Sequence, residues 1–325
     1  MQQAVLLMAY GGPNSLDDIG HYLQDIRGGR PTSPELLAEI QARYAQIGGR
    51  SPLLEITCAQ AGALEQQLNK LAHTEDGAPA YKVYVGMRHW KPYIREAVAQ
   101  IAADGFHQGV AVCMAPHASK MSSGAYLQKL QEGLATLPDA PQMEFIESWY
   151  DQPFLIQSLA EKVRAAEQQF TAQERPDIHY LFTAHSLPAS LSEQGDPYAD
   201  QLQQTARLLA DELKLAPSQW SFAYQSAGSI PGRWLGPQIG EVLPQLAQAG
   251  KKQVLVTPVG FMADHVEVLY DLDIEAQRIA RSLGIHLVRS DSLNDTPEFI
   301  RGFAQFLLER SNATQKHIKI TGDNR

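Results

Sequence analysis

Cysteine is scarce in this chain, which has only Cys58 and Cys113. Two thiols support neither a disulfide framework nor an iron–sulfur cluster of the usual four-cysteine kind. Long apolar runs are also missing: none approaches the roughly 18 residues of a membrane-spanning helix, so we expect no transmembrane segment. The first residues, MQQAVLLMAYGGP, have no basic leader and are typical of a strand, so we expect no signal peptide and a cytoplasmic protein.

Positive charge is in deficit as well. The 27 Lys and Arg residues are outnumbered by 36 Asp and Glu residues, and the formal net charge is −9. No basic stripe is present, so we expect no nucleic acid partner. The composition, 44% hydrophobic and 19% charged, is instead typical of a globular protein. A length of 325 residues is more than one ordinary core holds, which predicts two domains.

Short apolar runs alternate with longer amphipathic segments from one end of the sequence to the other. We predict strands over 4–10, 81–87, 109–115, 143–148, 178–185, 220–226, 253–261 and 284–289, and helices that include 53–72, 92–104, 153–169, 197–214 and 237–249. Strands that alternate with helical crossovers form parallel sheets covered on both faces. The sequence therefore predicts the α/β fold class.

The two halves of the chain have the same layout. Each has four predicted strands, and the third strand of each leads into a polar segment, PHASKMSSGAY or VGFMADHVE. We therefore predict two Rossmann-like domains, 1–148 and 149–295, whose parallel sheets face a central cleft, and a last helix, 296–311, that packs on the first domain. Ligands of open α/β sheets bind beyond the carboxyl ends of the strands. No GxGxxG motif follows the first strand, which disfavours a dinucleotide.

Unusual side chains follow several predicted strands. The first strand ends at Tyr10 in MAYGGP, the second leads into Arg88, His89 and Trp90, and the fifth ends at His185 in FTAHSLP. A strand-end histidine can bind a divalent metal or accept a proton, or it can be a satisfied, partly buried residue. A serine hydrolase is disfavoured, because no G-x-S-x-G follows a strand.

Beyond the seventh strand, the segment ADHVEVLYDLDIEAQ carries several carboxylates on a predicted helix that starts at Asp264. Glu267, Asp271 and Glu275 are spaced i, i+4, i+8 and form one line on a helix, here called the acidic row. Like charges at that spacing destabilise a helix by roughly 0.2–0.5 kcal/mol per pair. Two interpretations stay open: a solvated acidic face near a helix N-terminus, or a functional site where a cation sits along the row.

Other candidate residues have weaker signals. His89 and His117 are candidate supporting groups for a site, whereas His265 is expected to cap its helix or face solvent. Basic residues cluster early in the chain, at Arg27, Arg30, Arg43 and Arg50. They form either an ordinary solvated helix edge or a rim that binds substrate carboxylates, for which the forked donors of arginine are suited.

Seven motifs in this order resemble those of the ferrochelatases, which insert ferrous iron into a porphyrin. They are IGGRSPL, GMRHWKPYI, APH, FTAHSLP, YQSAGSIPGRWLGP, PVGFMADHVEVLYDLDIEA and RSDSLNDTPEFI, and they cover nearly the whole chain. The resemblance implies two Rossmann-like domains around a porphyrin cleft. It places the family's essential histidine at His185 and its partner glutamate at Glu267, as catalytic residues and Fe²⁺ ligands. It also implies that Asp271 and Glu275 continue a metal path, or form a second metal site, along a locally distorted helix.

Within that family the sequence is more similar to the branch that metallates coproporphyrin III than to the branch that metallates protoporphyrin IX. Tyr10 in MAYGGP matches the tyrosine that approaches the metal of the product, where the protoporphyrin branch typically has LNLGGP. The chain also has APHASKMSSGAY in place of the apolar PQYS lip. The GGP turn is more typical of the protoporphyrin type, so protoporphyrin IX is the alternative substrate. A haem-binding carrier that uses Tyr10 is the alternative without catalysis.

The resemblance also implies which residues contact the porphyrin and what the partners are. By motif position, the porphyrin mouth is formed by Tyr10, Arg27, Arg43, Tyr44, Ser51 and Tyr126. The four propionates of coproporphyrin III require many cationic and hydrogen-bonding donors; a second arginine common in that branch is Gly28 here, with Arg30 as its candidate substitute. Porphyrin and ferrous iron, as substrates, are the expected partners. No cofactor is expected, and contacts with other haem-pathway enzymes are expected to be transient.

Overall fold

The computed structural model describes residues 2–72, 80–228 and 232–322, with side chains up to Arg310. Residues 229–231 of the motif YQSAGSIPGRWLGP lie outside this part of the chain. The described strands are β1 (Gln3–Ala9), β2 (Tyr81–Met87), β3 (Gln108–Cys113), β4 (Gln142–Ile146), β5 (Ile178–His185), β6 (Trp220–Gln225), β7 (Gln253–Thr257) and β8 (His286–Arg289). The described α-helices are α1 (Ile19–Ile26), α2 (Pro34–Gln46), α3 (Leu53–Leu71), α4 (Ile94–Ala103), α5 (Ser123–Leu134), α6 (Pro153–Glu167), α7 (Ser190–Glu193), α8 (Tyr198–Glu212), α9 (Ile239–Gln248), α10 (Val266–Leu269), α11 (Gln277–Ser282) and α12 (Pro297–Gly322). A π-helix, Asp271–Ala276, lies between α10 and α11.

Every predicted strand and helix is present, and among the strands the largest difference is at the end of β7. This strand ends at Thr257 and not at 261, because Pro258 has no N–H to donate to a neighbouring strand. The chain turns there, and the N–H of Val259 bonds back to the carbonyl of Thr257 at 3.0 Å. Residues 258–265 consequently form a loop at the carboxyl edge of the sheet.

The strands form two parallel sheets with the same internal order. The first sheet is β2-β1-β3-β4 and the second is β6-β5-β7-β8. In the second sheet, Ile178 pairs with Gln253 and Phe182 with Thr257, so β5 and β7 end at the same edge. In the first sheet the chain places β2 on one side of β1 and then crosses over to place β3 on the other side. In the second sheet it places β6 and β7 around β5 in the same way. The strand order therefore reverses beside β1 and beside β5, which creates a switch point in each sheet. Crevices at such points are where open α/β sheets bind ligands.

One hydrophobic cluster joins the two sheets. It includes Val5 and Leu7 of β1 and Tyr180 and Phe182 of β5. It also includes the fully buried Trp149, which follows the last strand of the first sheet in the sequence. Because these buried contacts are continuous, the two halves share a core and are not linked by a flexible segment alone. The predicted boundary at 148/149 lies in the loop between β4 and α6.

The last helix, α12, packs against α3 of the first predicted domain and α6 of the second, and so bridges them. Phe299 and Phe303 stack on Trp149 at ring-centroid distances of 6.2 and 5.1 Å. The helix continues to Gly322, beyond its predicted end at 311. Although α12 is 26 residues long, neither it nor any other helix in the described part of the chain has an apolar stretch long enough to cross a membrane.

Gly302 allows α12 to approach α6 closely. A Cβ at this position would lie 2.4 Å from the Cβ of Phe154. We expect Gly302→Ala to lower the free energy of unfolding by about 1–3 kcal/mol, as in other overpacked cores. Gly62→Ala in α3 is the control, because an added Cβ there meets no heavy atom within 4 Å; it should be neutral or stabilising by up to about 1 kcal/mol. Equal urea unfolding curves for wild type and Gly302→Ala would contradict this close packing.

Candidate active site

A cavity of about 310 Å³ lies at the carboxyl ends of both sheets. The wall from the first half comes from segments that follow β1 and β3 and includes Tyr10, Met114 and His117. The wall from the second half comes from the end of β5 and the segment that follows β7, and it includes His185, residues 260–263 and residues 265–267. Both switch points therefore open into one cavity, whose volume is within the range of small-molecule sites.

His185 is positioned by the end of β5, a strand buried along nearly its whole length. The hydroxyl of Tyr198 in α8 donates to the carbonyl oxygen of His185 at 3.0 Å. The next residue, Ser186, donates its N–H to the carbonyl of Gln225 at 2.8 Å. These bonds hold the backbone where the strand ends, and the imidazole lines the cavity.

Glu267 reaches the same cavity from the helix that follows β7. Gly260 permits this approach: its N–H bonds to the carbonyl of Thr183 at 3.3 Å, and a Cβ there would lie 2.7 Å from the Cβ of Ala184. Glu267 then lies in the first turn of α10. The side-chain amide of Gln225, at the end of β6, donates to the carbonyl oxygen of Glu267 at 2.6 Å. Three neighbouring strands therefore fix the backbone of Glu267.

His185 and Glu267 form an ion pair, with His185 Nδ1 3.2 Å from Glu267 Oε2. Nδ1 has no hydrogen bond of good geometry, so the contact is chiefly one of charge. Burial alone lowers the pKa of His185, but the negative charges of Glu267 and Asp271 outweigh it and raise that pKa above its usual value. Burial likewise raises the pKa of Glu267, but the charge of His185 outweighs it and brings the pKa to about 2. The pair therefore holds a proton on His185 and a negative charge on Glu267.

His265 also lines the cavity, which corrects the expectation that it caps its helix or faces solvent. It occupies the N-cap position of α10 without a side-chain capping bond. Its ring packs edge-on against Phe261 at a centroid distance of 4.7 Å, and its buried Nδ1 has no partner. Burial lowers the pKa of His265 more than Glu267 raises it. The result is a neutral imidazole beside the His185–Glu267 pair.

The acidic row leads from the cavity to the surface. Glu267 lines the cavity, Asp271 is buried and Glu275 is exposed. The predicted helix from Asp264 starts later, at Val266, and it widens at Asp271 into the π-helix. There the N–H of Glu275 bonds to the carbonyl of Tyr270 at 2.9 Å, an i→i+5 bond. Such turns are frequent at functional sites.

Asp271 is a buried carboxyl with an unusual protonation equilibrium. The hydroxyl of Ser226 donates a short hydrogen bond to it, and the Asp271 side chain is only 9% exposed. Burial raises the pKa of Asp271 most, and the charges of Glu267 and Glu275 raise it further. The Ser226 bond and Arg43 lower it less, so the pKa comes to about 7. Asp271 therefore changes protonation near neutral pH, as suits a proton relay.

Arg43 lies beside the acidic row, whereas the resemblance placed it at the porphyrin mouth. Its Nη1 is 3.8 Å from Asp271 Oδ1, and its guanidinium carbon is 5.1 Å from the centre of the Tyr270 ring. Its Nη2 donates to Glu39 Oε1 at 2.9 Å. A positively charged side chain thus lies beside the acidic row and offsets part of its negative charge.

Tyr10 lines the wall that the first half of the chain provides. The guanidinium carbon of Arg88 is 5.7 Å from the centre of the Tyr10 ring, and the ring of His89 is 4.8 Å away. His89 is itself held by Asp25, with Nδ1 and Oδ1 2.6 Å apart. Burial, followed by the charge of Glu267, raises the pKa of Tyr10 to about 12 despite Arg88. Tyr10 is therefore a neutral phenol, close enough to Glu267 to sense its charge.

The other predicted porphyrin contacts divide into two groups. Tyr44, Ser51 and Tyr126 line the cavity. Arg27 lies outside the lining, at the C-terminal end of α1, and its Nε is a buried donor without a partner. Arg30 is exposed and donates from Nε to the carbonyl of Arg27 at 3.1 Å. The predicted hydroxyl-bearing residues therefore line the cavity, whereas Arg27, Arg30 and Arg43 do not; the arginine that lines it is Arg88.

Some residues of the cavity had no sequence signal. Gln60 of α3 and Tyr198 of α8 line it, but a polar residue within a helix is ordinary unless its tertiary position is known. His117, a candidate supporting group, is buried, and its Nε2 is 2.9 Å from Thr205 Oγ1 of α8. Burial lowers the pKa of His117 to about 3. The imidazole of His117 is therefore neutral, and its contact with Thr205 links the first half of the chain to the second.

The site offers few ligands for a metal ion. Over residues 2–72, 80–228 and 232–310, no three His, Cys, Asp or Glu side chains are grouped closely enough to hold one. His185 and Glu267 together provide two ligand groups at most near the cavity centre. A set of two leaves most coordination positions open, which suits a cation that is transferred to another ligand and not stored.

The fold and the site together define a class of protein. Two parallel α/β sheets meet at a cavity with a His–Glu pair, and the glutamate of that pair is followed in the chain by the buried Asp271 and the exposed Glu275. This is an architecture suited to metal chelatases. The family model described as Ferrochelatase matches residues 2–311. The chain belongs to the ferrochelatase family, whose enzymes insert a metal ion into a porphyrin.

Curated relatives cover nearly the whole chain. A protein of Deinococcus radiodurans named ferrochelatase is 45% identical over 309 residues, which are 95% of this chain and 96% of the relative. A protein of Bacillus subtilis named coproporphyrin III ferrochelatase is 36% identical over 310 residues, 95% of this chain and 98% of the relative. Relatives of both names therefore align from end to end.

Solved structures of more distant chelatases have the same fold. SirB from Bacillus subtilis with Fe³⁺ superposes with a TM-score of 0.57 at 13% identity, over 98% of both chains. The sirohydrochlorin chelatase SirB from Bacillus subtilis subspecies spizizenii, in complex with cobalt, superposes with a TM-score of 0.53 at 11% identity, over 95% of both chains. At these identities the likeness concerns the fold alone.

Proposed function

We propose that this protein inserts ferrous iron into coproporphyrin III, with His185 and Glu267 as catalytic residues and iron ligands. The observation that carries the proposal is the His185–Glu267 pair in a cavity whose other wall carries Tyr10. Relatives named coproporphyrin III ferrochelatase, at 36–38% identity, support this substrate. Relatives at 45% identity have the broader name ferrochelatase, so protoporphyrin IX is the alternative.

The acidic row gives the arriving Fe²⁺ a route from solvent. Glu275 is exposed, Asp271 is buried and Glu267 is in the cavity, so a cation meets carboxylates at each stage. At the pair, the charge of Fe²⁺ displaces the proton of His185, since a bound cation disfavours protonation of its ligands. Two protein ligands bind the ion weakly enough for the pyrrole nitrogens to take it.

The reaction releases protons that the site must remove. Fe²⁺ replaces two N–H protons of the porphyrin, so two protons leave for each ion inserted. When the iron moves to the macrocycle, His185 and Glu267 are vacated and can accept one proton again, because the pKa of His185 is raised beside that carboxylate. The other passes through Asp271, whose pKa of about 7 suits both uptake and release.

The porphyrin substituents are recognised by the first half of the chain. Hydroxyl groups of Tyr44, Ser51 and Tyr126 line the cavity, and Arg27 has a buried Nε that lacks a partner. A buried, unpaired guanidinium donor is unfavourable until an anion binds it, and carboxylates are the natural partners of arginine. A porphyrin with four propionates satisfies more of these donors than a porphyrin with two.

Anaerobic iron insertion into coproporphyrin III and protoporphyrin IX, followed by porphyrin absorbance, tests the substrate. We expect kcat/KM to be higher for coproporphyrin III by at least about tenfold, since one charge-assisted hydrogen bond contributes about 1.5–3 kcal/mol. Arg27→Gln should reduce this preference. Arg50→Gln is the matched control, because Arg50 is 62% exposed and pairs with Glu55, and it should leave the preference unchanged.

The outcomes separate the alternatives. A preference for protoporphyrin IX would keep the metal insertion and overturn the roles of Tyr10 and Arg27 in substrate choice. Insertion into neither porphyrin, with tight binding of haem through Tyr10, would leave the haem-binding carrier. The acidic row disfavours a carrier, because a protein that only holds haem needs no route for a metal ion.

A further inference from the structure

Arg289 binds two carboxylates, Asp264 and Asp273, that lie near Glu267 in the chain and do not belong to the acidic row. Arg289 ends β8, and its side chain is 13% exposed. Its Nε and Nη2 donate to the two carboxylate oxygens of Asp273 at 2.6 and 2.9 Å. Its Nη1 is 3.5 Å from Asp264 Oδ1. One guanidinium thus holds a carboxylate that precedes Glu267 in the chain and another that follows it.

Asp264 is held from a second direction as well. Ser292 donates to Oδ1 at 2.8 Å and the side-chain amide of Asn294 donates to Oδ2 at 2.9 Å. The backbone N–H of Asp264 in turn donates to Asn294 Oδ1 at 3.0 Å. The carbonyl of Asn294 accepts a bond of 2.9 Å from Gln60, a residue of the cavity wall. The segment before Glu267 is therefore connected to both halves of the chain.

The charges explain why these bonds matter for a cation. Five carboxylates lie within residues 264–275, namely Asp264, Glu267, Asp271, Asp273 and Glu275. A divalent ion is attracted most to those whose oxygens are not already taken up by hydrogen-bond donors. Arg289 offsets one of the two negative charges of Asp264 and Asp273, and its planar fork occupies both oxygens of Asp273. In the acidic row, Arg43 is 3.8 Å from Asp271 and His185 is 3.2 Å from Glu267, and neither forms a two-pronged bond. The carboxylates of the acidic row therefore keep more oxygen atoms available to a cation than Asp273 does.

We propose that Arg289 is a positioning residue for metal delivery. By binding Asp264 and Asp273 it holds α10 and the π-helix in place, and it keeps these two carboxylates from competing with the acidic row for the cation. The inference rests on the proposed function, because it deepens how ferrous iron reaches Glu267. A merely structural ion pair would stabilise the fold without changing how the protein handles iron.

Arg289→Gln tests the proposal by kinetics and by metal binding. We expect the KM for Fe²⁺ to rise about tenfold, as for other groups that orient metal ligands, with little change in the KM for porphyrin. Isothermal titration with Zn²⁺, without porphyrin, should show one more bound ion than in wild type, at the freed Asp264 and Asp273. Adding Asp273→Asn to Arg289→Gln should remove the extra ion and restore part of the KM.

Two further variants keep the test decisive. Arg164→Gln is the control, because it breaks an ion pair with Glu212 (3.0 Å) on the surface and causes the same change of charge; iron and zinc binding should stay as in wild type. Arg289→Lys keeps the charge but cannot span both carboxylates. It should raise the KM for Fe²⁺ in the same direction, and it serves if Arg289→Gln does not fold.

The result that overturns the proposal is specific. It is a folded Arg289 variant with a lower unfolding temperature but with the wild-type KM for Fe²⁺ and the wild-type number of bound Zn²⁺ ions. Absence of iron insertion in the wild type would contradict the proposed function instead. The zinc titration would still decide the role of Arg289, because it does not depend on turnover.

Discussion

Glu267→Gln is expected to lower kcat/KM for iron insertion by about 10²–10⁴-fold, the range for loss of an acid–base group. The amide has nearly the shape of the carboxylate, and Gln225 bonds to the backbone of Glu267 and not to its side chain. The substitution therefore removes charge with little change of packing. Without that charge, burial dominates and the pKa of His185 falls. The site then lacks an anionic iron ligand and a basic imidazole at the same time.

Three measurements check this expectation. Anaerobic turnover gives the loss of rate, porphyrin fluorescence quenching should give an unchanged Kd, and NMR titration should show the lower pKa of His185. Glu275→Gln is the matched control, because it removes the same charge at the exposed end of the acidic row, and its loss of activity should be much smaller. A Glu267→Gln enzyme with full activity would contradict the assignment of the His185–Glu267 pair.

Asp271→Asn is expected to make the protein more stable at alkaline pH and less active. The folded state raises the pKa of Asp271 from 3.8 to about 7, chiefly by burial. Above that pH the folded protein holds a buried, partly compensated charge that the unfolded chain exposes to water. An amide removes this charge and still accepts the hydrogen bond from Ser226. We expect the free energy of unfolding to increase by about 2–4 kcal/mol at about pH 8.

The pH dependence follows from the direction of the shift. Between about pH 4 and 7 the folded protein binds a proton at Asp271 that the unfolded chain has lost, so the contribution of this group to stability falls as pH rises. Below that range Asp271 is protonated in both states, and the variant and the wild type should have equal stability. The gain from Asp271→Asn should therefore grow from near zero at about pH 4 to its full value at about pH 8.

Urea unfolding at several pH values measures this gain, and Asp273→Asn provides a contrast. Asp273 lies two residues away but is bound by Arg289 through both oxygens. Its substitution removes the charge that faces Nε and Nη2 of the buried guanidinium and leaves only the longer contact with Asp264 at 3.5 Å, so it should destabilise the protein. Opposite signs for these two neighbouring aspartates are the expected result. If Asp271→Asn were also destabilising at alkaline pH, the Arg43 contact would outweigh the effect of burial.

A stabilising change that reduces turnover would identify Asp271 as a functional residue. Carboxyl groups that are buried without enough positive charge or hydrogen bonds to offset the loss of hydration occur mainly at functional sites, where they gain and lose protons. Active sites also commonly lower the stability of a fold. The π-helix that begins at Asp271 is also less regular than an α-helix. Its i→i+5 bonds replace regular helical bonds where Asp271 accepts the hydrogen bond from Ser226. Under the proposed function, the buried carboxyl and the π-helix of this segment reduce stability in exchange for a route for metal ions and protons.

Much of the fold and part of the site could be predicted from the sequence. Alternating apolar strands and amphipathic helices determine the α/β class, because parallel strands buried on both faces must be continuous apolar runs. The end of such a run places its last residue at the carboxyl edge, which is why Tyr10 and His185 could be identified before the structure was known. The position of Glu267 came from the resemblance of its motif, because its spacing alone was equally compatible with a solvated acidic face.

Contacts between distant segments were decided only by the tertiary structure. Arg43 lies beside Asp271, His265 lines the cavity, and Arg289 binds Asp264 and Asp273. The residues that meet in these contacts are separated in sequence by loops or by whole helices and strands. No local sequence pattern can therefore predict that they lie close together. Local chemistry therefore determined which elements form and where they end, while the packing of the two sheets determined which charges meet and hence the protonation states at the site.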